Sequence, residues 1–119
     1  TIEYKLIGGL AQGGAYTVAA FEDGHVRAYT CSMGKLSEAW KHKIKDERKP
    51  AGMPSVSAGL VCIADEKGSV YCIRARDGKL LRTIVIASPA LHPPIIVGDK
   101  IICIDQRGLL SAFKAPSVD

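Results

Sequence analysis

The chain has 119 residues, a net charge of +4, and 47% apolar and 24% charged residues, the proportions of one ordinary globular domain. That balance excludes a low-complexity chain, and so small and interspersed a charge argues against a generic binder of polyanions. The longest apolar runs, such as Ile101-Ile102-Cys103-Ile104, fall far short of the roughly 20 residues that cross a bilayer, so no membrane span is expected.

Along the chain, Ile2-Glu3-Tyr4-Lys5-Leu6 alternates apolar and polar, as a half-exposed strand does. It lacks the charged start and apolar core of a signal peptide, and no initiator Met precedes it, so the chain reads as a processed or trimmed piece of something longer. Gly8 to Gly14 is rich in small residues, which suits a strand crowded against neighbours. Thr17 to Tyr29 then reads as a hairpin: an apolar run, Asp23-Gly24 as a tight turn, and a second apolar run. Gly34-Lys35-Leu36 marks another turn, followed by a third strand at about Glu38 to Ile44. A basic stretch, Lys41 to Lys49, leads into a loop ending at Met53.

The same order then recurs. Pro54 to Gly59 is short and small, Val61 to Ile73 is a hairpin around Lys67-Gly68, Gly78-Lys79-Leu80 is a turn, and Leu80 to Ile86 is an outer strand. Beyond the loop Ser88 to Pro94, Pro93 to Gly98 and the hairpin Ile101 to Phe113 begin a third round, which stops at Lys114-Ala115-Pro116 without an outer strand. The turn glycines Gly24, Gly68 and Gly108 lie 44 and 40 residues apart. On this register Trp40 matches Ile84, and the four extra residues of the first spacing fall in the loop 45–53. The hairpin strands are almost continuously apolar, so both faces of each unit are expected to be buried against like units.

Four short strands per forty-odd residues, repeated, are the signature of a β-propeller blade. The expected fold is all-β, with about three four-stranded antiparallel sheets at 7–45, 54–87 and 93–115, and 2–6 as a closing outer strand. At these residues the chain resembles the pyrroloquinoline-quinone-type (PQQ-like) propeller repeat, most closely over Leu60 to Leu80 with its Val70-Tyr71-Cys72-Ile73 strand and Asp77-Gly78-Lys79 turn. WD-repeat propellers compete, but the Trp-Asp dipeptide is missing. The family's docking Trp, about four residues after the Gly-Lys turn begins, is replaced by Arg82 in the second unit, while Trp40 comes two residues later in the first. Three blades are too few to close a ring. Self-association, a complementary chain or a longer parent is expected to complete it.

Few residues point to chemistry. The resemblance implies quinone enzymes among the relatives, but one Trp and no adjacent cysteines make a poor quinone platform, so no cofactor, metal or catalytic residue is expected. Asp65 and Asp105 occupy equivalent positions before their turns. They either ring a cation or cap their own turns, and Phe21 in the same place of the first unit favours capping. His25, His42 and His92 have no ligand spacing. Cys31, Cys62, Cys72 and Cys103 form no C-x-x-C motif; Cys62, Cys72 and Cys103 sit in apolar runs, so buried thiols are expected rather than a disulfide, and Cys62–Cys72 is the bridge to check if their strands pair. Free thiols suit the cytoplasm, whereas the resemblance also allows the periplasm.

Lys41, Lys43, Lys45, Arg48 and Lys49, with His92 on the later loop, are the candidate partner-binding residues. They serve either an anionic partner or the defence of an edge strand by lysines. The expected function is a non-catalytic scaffold for protein contacts, recognised through the loops Lys45 to Pro54 and Ser88 to Pro94, with no specific nucleic acid as partner. The alternative is a fragment of a larger propeller enzyme or ligand sensor whose site is completed by other blades.

Overall fold

The computed structural model describes residues 5–44, 48–86, 88–90 and 92–119. Eleven strands form three antiparallel meanders among these residues, with no helix. The first sheet is β1 (Leu6–Gly13), β2 (Tyr16–Phe21), β3 (His25–Ser32) and β4 (Lys35–Lys43), in that order. The second is β5 (Ser55–Ser57), β6 (Leu60–Ala64), β7 (Ser69–Arg74) and β8 (Leu80–Val85). The third contains β9 (Ile95–Val97), β10 (Lys100–Ile104) and β11 (Leu110–Lys114), without an outer strand. Leu6, placed by its alternation in a closing strand, pairs with Phe21 as the first residue of β1. Ile2–Tyr4 of that segment lie outside the described residues.

The sheets stack face to face, as continuously apolar hairpins require. Every residue of β6 is buried, and so is every residue of β7 except the half-buried Arg74. Val61, Ile63, Tyr71 and Ile73 pack on Val18, Ala20, Val26 and Trp40 of the first sheet. The opposite face, with Leu60, Cys62, Val70 and Cys72, packs on Ile101 and Cys103 of the third. Each fully buried aliphatic side chain contributes about 1.5–3 kcal/mol, so the middle sheet depends on both neighbours. The inner strands approach closely: a Cβ on Gly13 would lie 2.5 Å from Val56 Cγ1.

Gly24, Gly68 and Gly108 have φ of 85°, 97° and 83°, a region in which an L side chain is strained, so the turns fall where the repeat put them. The outer strands β4 and β8 do not follow that register. Ala28 pairs with Trp40, and its counterpart Cys72 pairs with Arg82. Trp40 is therefore equivalent to Arg82, and His42, opposite Val26, is equivalent to Ile84, opposite Val70. The match of Trp40 with Ile84 is corrected on this point. The physical reason is a longer first hairpin: β3 and β4 pair out to Ser32 and Lys35 around Met33-Gly34, whereas β7 ends at Arg74, whose N–H donates to Lys79 O. Two of the four extra residues lie in that hairpin. The other two precede Pro50, since Pro50 and Ala90 make equivalent bridges to Asp65 and Asp105.

Candidate functional site

Polar side chains on the blades fall into two groups: those that tie the repeat together and those that line the gaps between sheets. Trp40 belongs to the first group. Its indole is 8% exposed, its Nε1–H donates to Ala75 O at 2.6 Å, and its ring lies so close over Gly78 that a Cβ there would sit 2.7–2.9 Å from ring atoms. Arg82, at the equivalent register position of the second sheet, donates from Nη1 to Lys114 O in the third at 2.8 Å. The same place thus docks one blade on the next twice, once with an indole and once with a guanidinium. Sequence spacing alone obscured this, because the inserted residues displaced the Trp from its expected position.

The turn carboxylates are likewise engaged within the fold. Asp65 is fully buried, and its Oδ1 accepts from the N–H groups of Lys67 and Ser69. Its Oδ2 accepts from Tyr71 Oη at 2.6 Å and Arg48 Nη1 at 3.0 Å. Burial alone would raise this carboxyl, but the bonds from Tyr71, Ser69, Arg48 and Lys67 outweigh it and hold it below the usual carboxylate range. Asp105 accepts from the N–H groups of Arg107 and Leu109, and the Arg107 guanidinium lowers its pKa. Both aspartates cap their own turns, the second of the two sequence readings. In the first sheet, where Phe21 stands at that position, Asp23 takes over. It accepts from the His25 N–H and from both terminal nitrogens of Arg27, which lower its pKa. Arg27 is 2% exposed, lies over the Phe21 ring at 5.0 Å and also approaches Glu38. Nothing in the sequence pattern singled out this buried arginine, which sits in an apolar run. Among the described residues, no group of three His, Cys, Asp or Glu side chains converges as a metal site.

All four cysteines are free thiols; Cys62, Cys72 and Cys103, in their apolar runs, are buried, and Cys31 is exposed. The hairpin register does bring Cys62 opposite Cys72, with Sγ atoms 3.9 Å apart. The hydrogen bond to Cys72, reinforced by burial, raises the Cys62 thiol, and burial pushes Cys103 up to about 11.

One concave feature gathers part of the basic stretch. Between the outer strands of the first two sheets lies a groove of about 510 Å³. His42, Lys43, Arg48 and Lys67 line its rim, and Leu80, Thr83 and Val85 of β8 line one wall, with Ser69 and Tyr71 beneath. His42 points the same way as Trp40, two residues back along β4, and is half-buried. Burial, with a smaller contribution from His25, lowers its pKa. Arg48 is turned inward to Asp65 and Ser69. Lys41 and Lys49 are exposed outside the groove, His92 is exposed on a separate loop, and Lys45 lies outside the described residues. The structure therefore brings Lys43 and Arg48 together with His42 and Lys67. Lys67 was legible only as a turn residue, because its approach to β4 depends on how two blades stack.

Meanders of four antiparallel strands, stacked face to face with a repeated docking side chain, define consecutive blades of a β-propeller. The sequence model for the family described as outer membrane protein assembly factor BamB matches residues 17–117, and the chain belongs to that family of PQQ-like propellers. Among solved structures, it is similar to BamB from Moraxella catarrhalis, with 26% identity and a TM-score of 0.77 over 92% of this chain and 33% of that one. Europium-containing methanol dehydrogenase shares the fold at 15% identity and a TM-score of 0.74, over 98% of this chain and 25% of that one. Saccharomyces cerevisiae Sqt1 shares it at 17% identity and a TM-score of 0.70, over 93% and 32%. The chain spans about a third of the BamB structure's length. No curated protein gives a significant match.

Proposed function

We propose that this chain is a non-catalytic part of a β-propeller and serves as a rigid scaffold for protein–protein contacts. The observation that carries the reading is the commitment of the repeat's own polar groups. Asp23, Asp65 and Asp105 each close a turn, and Trp40 and Arg82 each dock a blade. What differs between units is the rim: the connecting loops and the outer strands. Rigid blades that hold variable loops suit recognition. The family's description as an assembly factor supports a role in contacts with other proteins.

We assign both edges of the third sheet, β11 with Leu109 and Leu110 exposed beside and on it and β9 with Ile95 and Val97 exposed, to contacts with further blades from a second copy, a complementary chain or a longer parent. Such an edge and such faces invite pairing. Sedimentation is expected to give a dimer or larger particle, and a stable soluble monomer would remove self-association from the proposal. The binding role is tested by placing a photo-crosslinking residue at Lys49 and, separately, at His92, both exposed, in cells of the source organism. Discrete protein adducts are expected from at least one position. No adducts, together with stoichiometric binding of pyrroloquinoline quinone and calcium with a bound-quinone absorption band, would instead establish the enzyme reading.

A further inference from the structure

Two thiols meet at one rung of the middle hairpin, and the repeat shows that packing does not require them there. The pair Cys62–Cys72 of β6 and β7 corresponds to Val18–Ala28 in the first sheet and to Ile102–Ala112 in the third. Each counterpart sets a larger aliphatic residue opposite an alanine. Only the middle sheet fills the rung with two equal, oxidisable side chains. The ladder also aims them at each other. The Asp65 N–H donates to Ser69 O, so that rung is hydrogen-bonded, and rungs of an antiparallel pair alternate. Three rungs on, with no register shift between, Cys62 and Cys72 occupy a non-hydrogen-bonded rung. There Cα atoms stand about 4.5 Å apart and side chains come closest, within the span that a disulfide bridges. The Sγ atoms are 3.9 Å apart. That leaves roughly 2 Å to be closed by side-chain rotation. Cys103 packs in the same cluster but belongs to the third sheet, and Cys31 is exposed on the first, so neither shares the rung.

We propose that Cys62 and Cys72 are a cross-linking site, oxidised by a small-molecule disulfide such as oxidised glutathione to an internal disulfide that locks the middle hairpin. Both thiols are fully buried against the third sheet, so the reaction takes place when that sheet, which lacks an outer strand, parts from the second. The hydrogen bond from Cys62, aided by Arg82 on the facing strand, outweighs burial and lowers the Cys72 thiol, so Cys72 supplies the thiolate. It attacks one sulfur of the oxidant, forming a mixed disulfide and expelling one glutathione thiolate. Cys62 then loses its proton, attacks Cys72 Sγ and expels the second. Two S–H bonds are lost and one S–S bond forms, and the two electrons and two protons leave on two molecules of reduced glutathione. The linked residues are ten apart in a hairpin that carries both seams, so the bond holds the hairpin closed while either neighbouring sheet moves. This chemistry is independent of the protein-binding reading above.

The test incubates the reduced protein with oxidised glutathione in urea just below its unfolding midpoint, then removes both and alkylates the remaining thiols. Tryptic digestion without reduction is expected to release the peptide ending at Lys67 joined to Gly68–Arg74, and reduction should separate the two. In urea titration the linked protein should unfold with an equilibrium constant at least about tenfold smaller than the reduced protein, and dithiothreitol should restore the original value. Cys62→Val with Cys72→Ala copies the rung of the first sheet, so it should keep the β-sheet circular dichroism and lose this redox dependence. The peptide mapping uses the unsubstituted chain and stands even where the double variant fails to fold. Separate peptides, stable glutathione adducts on Cys62 or Cys72, or a link from either to Cys103 or Cys31 would overturn the proposal. So would a linked protein no more stable than the reduced one, or a tenfold redox effect that survives in the double variant.

Discussion

Removing the Trp40 indole should separate the first two blades. The side chain is nine-tenths buried in the core cluster between the first two sheets, so Trp40→Ala is expected to cost about 3–5 kcal/mol, the range for truncating a buried aromatic. Roughly 1 kcal/mol of that belongs to the Nε1–H bond to Ala75 O. Trp40→Phe keeps much of the apolar contact and strands the carbonyl, so it should cost about 1–3 kcal/mol. Gly78→Ala attacks the same contact from the other side: the new methyl meets the indole at 2.7 Å, and φ is +78°. In the Trp40→Ala background the clash is gone and only the backbone strain of roughly 1 kcal/mol remains. The two changes must therefore be non-additive. Urea unfolding followed by circular dichroism measures all four corners of the cycle, and Trp40, the single Trp, reports docking by its fluorescence in the parent. A Trp40→Ala variant within about 0.5 kcal/mol of the parent, or additive costs, would refute the docking argument.

Other consequences can be checked more simply. Asp65→Ala leaves Arg48 and Tyr71 facing an empty site and should cost about 2–4 kcal/mol by urea unfolding. Because the folded pKa of Asp65 lies below its unfolded value of 3.8, its contribution is present above that value and is lost as pH falls through the folded pKa. Asp65→Asn should accordingly show a shallower loss of stability in acid than the parent. His42 is depressed instead, so the folded state prefers it neutral, and stability should fall as pH drops below 6.5. His42→Gln should remove that slope. A disulfide reagent such as dithionitrobenzoate should titrate Cys31 quickly in the native protein, and Cys62, Cys72 and Cys103 only on unfolding. Two or more fast thiols would contradict the packing of the middle sheet. Arg82→Ala should loosen the second seam far less than Trp40→Ala loosens the first, since it removes one exposed hydrogen bond.

The spacing of Gly24, Gly68 and Gly108, the apolar hairpins around them and the small-residue segments before them were enough to read a stack of blades. Those signals are local, because a positive-φ turn and a two-sided strand need only their own residues. Turn capping by Asp65 and Asp105 was legible for the same reason. Two features required the folded chain. The equivalence of Trp40 with Arg82 depended on how far β3 and β4 pair before they turn, which the matching Gly-Lys-Leu triplets concealed. The groove depended on residues 25 apart, His42 and Lys67, coming from different blades. Hairpins are encoded within a dozen residues. The gap between two stacked sheets is set by side chains from both, so only the packed structure could show that Ile84 is buried at one seam while His42 stays half-buried beside a groove at the other.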